Sequence, residues 1–255
     1  MQFAELDEKM RAREWFHKMN LLPGTWPIIR MDGRSFSGLT ERMFSKPFDP
    51  MFHTHMVNAA TEVFKDFNGI YAYTESDEIS LLLAHDTDLF DREVEKMVSI
   101  AAALVGGRFS ISINKPVAFD ARIWLGTSAQ DVIDYFRWRQ ADAMRCALNG
   151  WCYWTLRQKG MSAGKATGEL HEKGVEEKME LLKRLGVDFD CMPLWQRRGV
   201  GLYWEGYQKD GYNPITQEVV KADRRRIRVN DELQTGKDYD VFLANLMLHR
   251  QGKVA

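Results

Sequence analysis

Between residues 26 and 124 the chain passes through strand-like and helix-like runs in the order β-α-β-β-α-β, and no other feature restricts its possible folds as much. Trp26 to Met31 is an apolar strand-like run, and a loop through Pro47 leads to a helical pattern from Pro50 to Phe67. Asn68-Gly69 turns the chain into two short runs, Ile70 to Tyr73 and Ile79 to Leu83, which read as one hairpin. Asp86 stands where a helix cap belongs, ahead of apolar residues at helical spacing as far as Leu104. A strand near Val117 to Trp124 completes the unit. This order is the ferredoxin-like split unit, an α+β fold with an antiparallel sheet and helices behind it.

Two aspartates close the apolar runs. Asp32, in Pro27-Ile-Ile-Arg-Met-Asp-Gly-Arg-Ser-Phe36, and Asp77, in Tyr73-Thr-Glu-Ser-Asp-Glu-Ile-Ser80, sit at strand ends where a polar group has no packing reason to be. Carboxylates at the ends of adjacent strands can hold a pair of Mg²⁺ ions, because hard cations take carboxylate oxygen and need few such ligands besides water and phosphate. That points to phosphoryl or nucleotidyl transfer. Gly33 lets backbone groups approach a metal or a phosphate with no Cβ in the way, and the stretch from Arg34 to Ser37 is placed to cradle a triphosphate. Lys46, and Arg92 with Lys96 four residues further along the expected helix, offer positive charge for phosphate oxygens. Taken singly, each feature has an ordinary reading, as a turn, a hairpin tip or a solvated helix face. The combination carries the chemistry.

The same combination resembles a known family. Arg30-x-Asp32-Gly33-Arg34-x-Phe36, then Lys46-Pro47-x-Asp49, then Ser76-Asp77-Glu78-x-Ser80, then a helix with Arg92 and Lys96, and later Trp138-Arg-Gln-Ala-Asp142, are similar in kind and order to the tRNA-His guanylyltransferase superfamily. Its enzymes add nucleotides in the 3′-to-5′ direction to the 5′ end of tRNA. The similarity is strongest from Arg30 to Asn149 and weaker through Lys178-Met-Glu180 and Arg198-Gly-Val-Gly-Leu-Tyr-Trp204. It implies a polymerase-palm sheet in which Asp32, Asp77 and the Gly33 carbonyl hold two Mg²⁺ ions, with Glu78 as the supporting acid. Arg34, Ser35, Phe36 and Ser37 would wrap a triphosphate that Ser76 touches from the other strand, while Lys46, Arg92 and Lys96 neutralise phosphates. It further implies GTP, ATP and other nucleoside triphosphates as substrates, tRNA as partner with contacts from Arg139, Asn149, Lys178 and Arg198, and a homotetramer that embraces the tRNA.

Two departures bear on specificity. Ser37 stands where the family loop commonly has His, and Ala143-Met-Arg-Cys-Ala-Leu-Asn-Gly150 replaces the His-Ile-Asn-Asn segment with which guanylyltransferases proper recognise tRNA-His. The Phe119-Asp-Ala-Arg-Ile-Trp124 strand resembles the guanylyltransferase-like branch, whose members repair truncated tRNA 5′ ends against a template strand. The expectation is therefore a template-dependent 3′-to-5′ repair nucleotidyltransferase. The alternatives are a tRNA-His guanylyltransferase proper, a nucleotide cyclase or other small-molecule nucleotidyltransferase on the same palm, and a non-catalytic tRNA binder, against which the intact Asp32 and Asp77 argue.

The rest of the chain adds organisation. A helix from Leu6 to Met19 opens it, and a second from Gln130 to Gly160 carries an aromatic face at Trp151-Cys-Tyr-Trp154, suited to core or interface. The run Gly160 to Gly168 lacks phosphate-loop spacing and reads as a mobile connector, with later helices over Glu176 to Leu185 and Asp238 to Arg250. The expected division is a palm-like catalytic domain over 1–150 and an appendage of helices and short strands, packed on it, over 151–255. With 255 residues, 45% of them hydrophobic, the chain can bury a substantial core. No apolar run is expected to reach the roughly 18 residues of a membrane span, and Met1 to Glu8 is too polar for a signal peptide. Cys146, Cys152 and Cys191 lack metal-ligand spacing and read as reduced thiols of a cytoplasmic protein. A formal net charge of −1 does not mark a nucleic-acid binder, but Lys221-Ala-Asp-Arg-Arg-Arg-Ile-Arg228 is a local basic run. It reads equally as a charged sheet edge and as a tRNA contact.

Overall fold

The computed structural model describes residues 3–213, 215 and 218–251. Its centre is a six-stranded sheet in the order β4-β1-β3-β2-β5-β6, with every neighbouring pair antiparallel. The strands are β1 (Trp26–Gly33), β2 (Tyr71–Glu75), β3 (Glu78–Leu82), β4 (Phe119–Gly126), β5 (Val200–Asn213) and β6 (Glu218–Asn230). The first four carry the ferredoxin-like order, as the sequence pattern predicts.

Alternation along these strands makes two cores, because successive side chains point to opposite faces. Ile29, Met31, Ala72, Ile79 and Leu81 face α3 (Pro50–Asp66) and α4 (Val94–Ile113). Ile28, Tyr71, Tyr73 and Leu82 face α5 (Ala129–Gln158) and α9 (Gly236–Gln251). Helices thus cover both faces, where the sequence led us to expect them behind one. The polar members of the second set, Arg30, Asp32, Glu75, Glu78 and Ser80, share the α5 side of the sheet, and Ser80 bonds Tyr135 of α5 at 2.9 Å.

Local chemistry explains the helix starts. Asp49 caps α3 by accepting from the Met51 and Phe52 N–H groups, with Pro50 at the first helical position. Ser128 and Asp131 form a capping box at the start of α5. Ser162 caps α6 (Ala163–Leu170), so the Gly-rich run expected to be a mobile connector holds a helix instead. The expected opening helix ends early, as α1 (Phe3–Arg11). The expected loop before Pro47 contains α2 (Phe36–Met43). Two further short helices, α7 (Val175–Arg184) and α8 (Leu194–Arg198), pack on α5.

Two expectations need correction. Asp86 does not cap α4, which begins at Val94, because Phe90, Asp91 and Arg92 adopt φ of +52°, +52° and +63°, a left-handed run that no α-helix can include. Helix α4 also meets the length and mean apolarity of a membrane span, contrary to the sequence expectation; here it is a core helix that buries Met97, Ala101, Val105 and Phe109. Helix α5 runs through residue 150, and β5 joins the sheet beside β2. The last four residues of the expected appendage, 252–255, lie outside the described residues.

Candidate active site

Asp32 and Asp77 meet at one end of the sheet. Asp32 is the penultimate residue of β1, in register with Glu78 on β3 and Asp120 on β4. Asp77 lies in the two-residue tip, Ser76-Asp77, that joins β2 to β3. The Gly33 N–H donates to the Asp77 carbonyl at 3.1 Å. A Cβ on Gly33 would stand 2.9 Å from Asp77 Oδ2 and 2.5 Å from the Phe36 ring, so only glycine permits this approach. Burial pushes the Asp77 carboxyl up, and the charge of Asp32 adds to the push; the Ser76 hydroxyl, donating to Oδ1 at 3.0 Å, and the Lys46 ammonium oppose it. Asp77 is half-buried rather than solvent-facing.

The loop after β1 offers backbone donors. Ser35 has a left-handed conformation and gives no side-chain cap to α2, so the first N–H groups of that helix have no side-chain acceptor at the end where Asp32 and Gly33 lie. Arg34, Ser35 and Ser37 are exposed there, whereas the Phe36 ring is buried against Phe109 and Phe119 and anchors the loop. Lys46 comes back over the site after α2. Its Nζ donates to Thr40 Oγ1 at 2.6 Å and lies 5.6 Å from the Trp154 ring centre. Burial lowers the Lys46 ammonium below its ordinary range, while Glu41 and Asp77 hold it up. Beside Lys46 and Ser76 opens a cavity of about 220 Å³, whose walls include Phe44, Phe48, His53, Trp195 and the small residues Ala143 and Gly150.

Behind the tip lies a charge cluster of which only parts were legible. Glu75 and Glu78 face each other across the hairpin, and like charges so placed repel unless a cation separates them. Arg139 of α5 is that cation. It lies 2.9 Å from Glu75 Oε1, 3.1 Å from Asp142 Oδ2, and 2.7 Å from Glu78 Oε1, the last contact without the alignment of a hydrogen bond. Burial pushes both Glu75 and Glu78 up, and Arg139 opposes the shift in each. Arg139 is therefore a buried clamp on the hairpin rather than an RNA contact, since its side chain is only 7% exposed. The Glu75-x-x-Glu78 spacing was the available signal for it.

Other expected residues lie apart from this site. Arg92 and Lys96 do not share a helix face, because Arg92 precedes α4. Both follow the end of β3 that is remote from Asp77. The Arg92 guanidinium donates to the carbonyls of Leu21, Leu22, His85 and Thr87, and Lys96 pairs with Glu93 at 2.8 Å. Asn149 is exposed on α5, and Lys178 is half-buried on α7. Arg198 donates to the Leu233 carbonyl at 2.9 Å, which ties α8 to the loop before α9.

Whether this site suits a divalent cation can be tested on the residues present. Asp32, Asp77 and the Gly33 backbone are hard oxygen donors, and Asp77 is a half-buried carboxylate that burial and the charge of Asp32 push up, with Lys46 acting on Asp77 and Arg122, already paired with Asp120, acting on Asp32. A divalent cation would relieve the repulsion within the pair. Among the described residues no group of three or more His, Cys, Asp or Glu could hold a metal, so remaining ligands would be backbone, water and phosphate. The donor set fits.

Comparison with known proteins places this geometry in a family. The family model described as tRNAHis guanylyltransferase matches residues 7–131, and the model of the Thg1 C-terminal domain matches residues 130–241. The tRNA(His) guanylyltransferase of Debaryomyces hansenii is 31% identical over 228 residues, covering 83% of this chain and 86% of that protein. The tRNA(His) guanylyltransferase 2 of Arabidopsis thaliana is 28% identical over 86% of this chain, which spans only 42% of that longer protein. Among solved structures, a bacterial tRNA(His) guanylyltransferase-like protein in complex with ATP superposes with a TM-score of 0.74 at 21% identity, covering 95% of this chain and 99% of that one, a likeness of fold. With both family models matched in sequence and a relative above 30% identity covered over most of its length, the chain belongs to the tRNA-His guanylyltransferase superfamily.

Proposed function

We propose that this protein is a Mg²⁺-dependent nucleotidyltransferase that adds nucleotides in the 3′-to-5′ direction to the 5′ end of tRNA, directed by the base opposite. The observation that carries the reading is the junction of Asp32, Gly33 and Asp77 with Lys46 and the open start of α2. Asp32, Asp77 and the Gly33 carbonyl would hold the metal ions, which when bound supply positive charge to an attacking 3′-hydroxyl and a departing pyrophosphate. Lys46 and the N–H groups at the start of α2 hold phosphate oxygens, because fixed donors serve best where negative charge builds up. Arg139 keeps Glu75 and Glu78 together, so that the tip cannot swing Asp77 away from Asp32. The cavity beside Lys46 and Ser76 is a place for a base, with aromatic walls at Phe44, Phe48 and Trp195 beside polar side chains such as Thr40, Ser45 and Gln196.

Template dependence rests on the segment from Ala143 to Gly150. Ala143, Cys146, Ala147 and Gly150 line the cavity with small side chains, and none presents the imidazole and amides of a His-Ile-Asn-Asn reader. The second reading, a guanylyltransferase specific for tRNA-His, is favoured by the names of the relatives. Adding GTP to tRNA-His and to an unrelated 5′-truncated tRNA, each with C or A opposite the incoming base, separates the two. Addition of G opposite C on both tRNAs supports template direction, and addition to tRNA-His whatever the opposite base supports the second reading. Product formed from nucleotides without any RNA would point to a cyclase.

Two further parts of the reading have their own support. A cytoplasmic setting agrees with three free cysteines, and self-association to a tetramer agrees with the N-terminal segment, where Trp15 is 78% and Phe16 76% exposed. Sedimentation of the wild-type protein against a Trp15→Ser, Phe16→Ser variant tests the latter.

A further inference from the structure

The loop that delivers Lys46 is seated on the end of α5. Between α2 and α3 the chain runs from Phe44 to Asp49, and residues of the last turns of α5 hold it. The Phe48 ring stacks on Trp151 with centroids 6.3 Å apart and meets Trp195 of α8 edge-on at 5.8 Å. Gln158, the last residue of α5, donates its amide to the Lys46 carbonyl at 3.2 Å. The Lys46 ammonium lies 5.6 Å from the centre of the Trp154 ring. The aromatic face legible in the sequence at Trp151-Cys-Tyr-Trp154 thus meets this loop with both of its tryptophans.

The partners of the ammonium are chosen to hold it without neutralising it. Among the described residues Lys46 makes no ion pair. Its Nζ donates to Thr40 Oγ1 at 2.6 Å, and that hydroxyl in turn donates to the Ser37 carbonyl at 3.2 Å, which leaves an oxygen lone pair for the lysine. Burial disfavours the ammonium, and Glu41 and Asp77 favour it from a distance. A carboxylate in contact would cancel the charge and compete with an incoming phosphate. The face of an indole attracts a cation through its quadrupole and carries no net charge, so the lysine keeps its whole charge for a ligand. The four-carbon stem of lysine is otherwise free to rotate, and ordering it before a ligand arrives removes that cost from binding.

We propose that Trp154 and Gln158 are positioning residues for Lys46: the end of α5 fixes the backbone and the ammonium of the lysine, so that its charge is in place before a nucleoside triphosphate arrives. The inference rests on the reading of Lys46 as a phosphate ligand. Neither residue has to touch the nucleotide. Packing alone does not call for these contacts, because Gln158 is exposed and water would satisfy its amide, and Trp154 is only half-buried. The same helix carries Arg139, which clamps Glu75 and Glu78. One element therefore holds both the acidic tip and the cation that faces it.

The test is a double-mutant cycle, read by calorimetric titration of GTP with Mg²⁺ into the full-length protein. Trp154→Leu is expected to weaken GTP binding about threefold to tenfold, as the loss of a partly desolvated cation–ring contact does. Trp154→Phe, which keeps a ring face, should fall between wild type and Trp154→Leu. Gln158→Ala should weaken binding about twofold to fivefold, as the loss of one hydrogen bond does. With Lys46→Met already in place, none of the three should weaken GTP further. Equal losses with and without Lys46 overturn the inference, since the residues would then act through general packing. So does a loss that Trp154→Phe does not lessen. Unchanged affinity in Gln158→Ala also overturns it, and this exposed position decides the matter if Trp154→Leu does not fold. Wild type that binds no GTP, or Lys46→Met that binds it as tightly as wild type, overturns the reading of Lys46 beneath the inference as well.

Discussion

Two hairpins of one sheet are built to opposite specifications. The β2–β3 hairpin turns in two residues, its flanking acids are clamped by a buried arginine, and its tip carries a half-buried carboxylate packed close against Gly33. The β5–β6 hairpin is an arm that runs far past its neighbours, is exposed on both faces, and carries its charge as a ladder of separate arginines. The difference teaches how each responds to change. A tight, clamped tip is a single cooperative unit, so one substitution removes its function, whereas contributions along an open ladder add up one by one.

The largest effect belongs to the tip. Asp77→Asn should lower nucleotide addition at least about a hundredfold, as the loss of a group that organises charge at the reacting atoms does. It should leave thermal stability unchanged or raised, because it removes the repulsion from Asp32 that burial makes costly. A loss of stability in thermal denaturation would contradict the carboxylate crowding inferred here. Next comes Arg139→Met, which strands Glu75 and Glu78 in the interior and is expected to cost about 3 to 5 kcal/mol, measured by urea unfolding. A cost below about 1 kcal/mol would show that the clamp is not holding the hairpin.

Smaller effects sharpen the contrast. Gly33→Ala forces its Cβ against Phe36 and Asp77, and overpacking of this kind costs about 1 to 3 kcal/mol. Its activity should fall further than its stability, since the displaced group is Asp77. Arg92→Met, remote from the tip, should loosen the N-terminal segment that its guanidinium ties down, visible as faster amide exchange at Leu21 and Val94, and leave nucleotide addition intact. Activity lost in that variant would return Arg92 to phosphate binding. The smallest effect is on the arm, where Arg224→Gln should change stability by no more than about 0.5 kcal/mol.

The sequence made the tip more legible than the arm, for physical reasons. Strand periodicity, the Asn68-Gly69 turn and polar residues at strand ends are local signals, and they placed Asp32, Gly33, Ser76, Asp77 and Lys46 together. The split unit followed from the same periods, and β4 through β2 took their expected order. What failed depended on tertiary context. Arg139 and Arg92 look like ligand-binding arginines in sequence, yet each is surrounded by acceptors from segments far along the chain, Glu75 at one and Leu21 at the other. The start of α4 was misplaced because three left-handed residues are stabilised by pairing with the N-terminal segment, which no local pattern reports. By contrast, the 30-residue helix that carries the chain through residue 150 was legible, since its period continues past the aromatic run without a local stop. The arm was visible only as a basic run, since its reach past β2 needs the register of β5 against its neighbours.

The claim that ties these parts together is that the Asp32 and Asp77 end of the sheet performs nucleotide addition to a 5′ end. It is tested most directly by incubating a 3′-labelled, 5′-truncated tRNA with Mg²⁺ and all four nucleoside triphosphates, in the presence of wild type, Asp32→Ala or Asp77→Ala, and locating the added residues by sequencing the product. The account predicts growth at the 5′ end with wild type, complementary to the opposite strand, and none with either variant at any Mg²⁺ concentration. Extension within tenfold of wild type by either variant, or growth at the 3′ end, would contradict it.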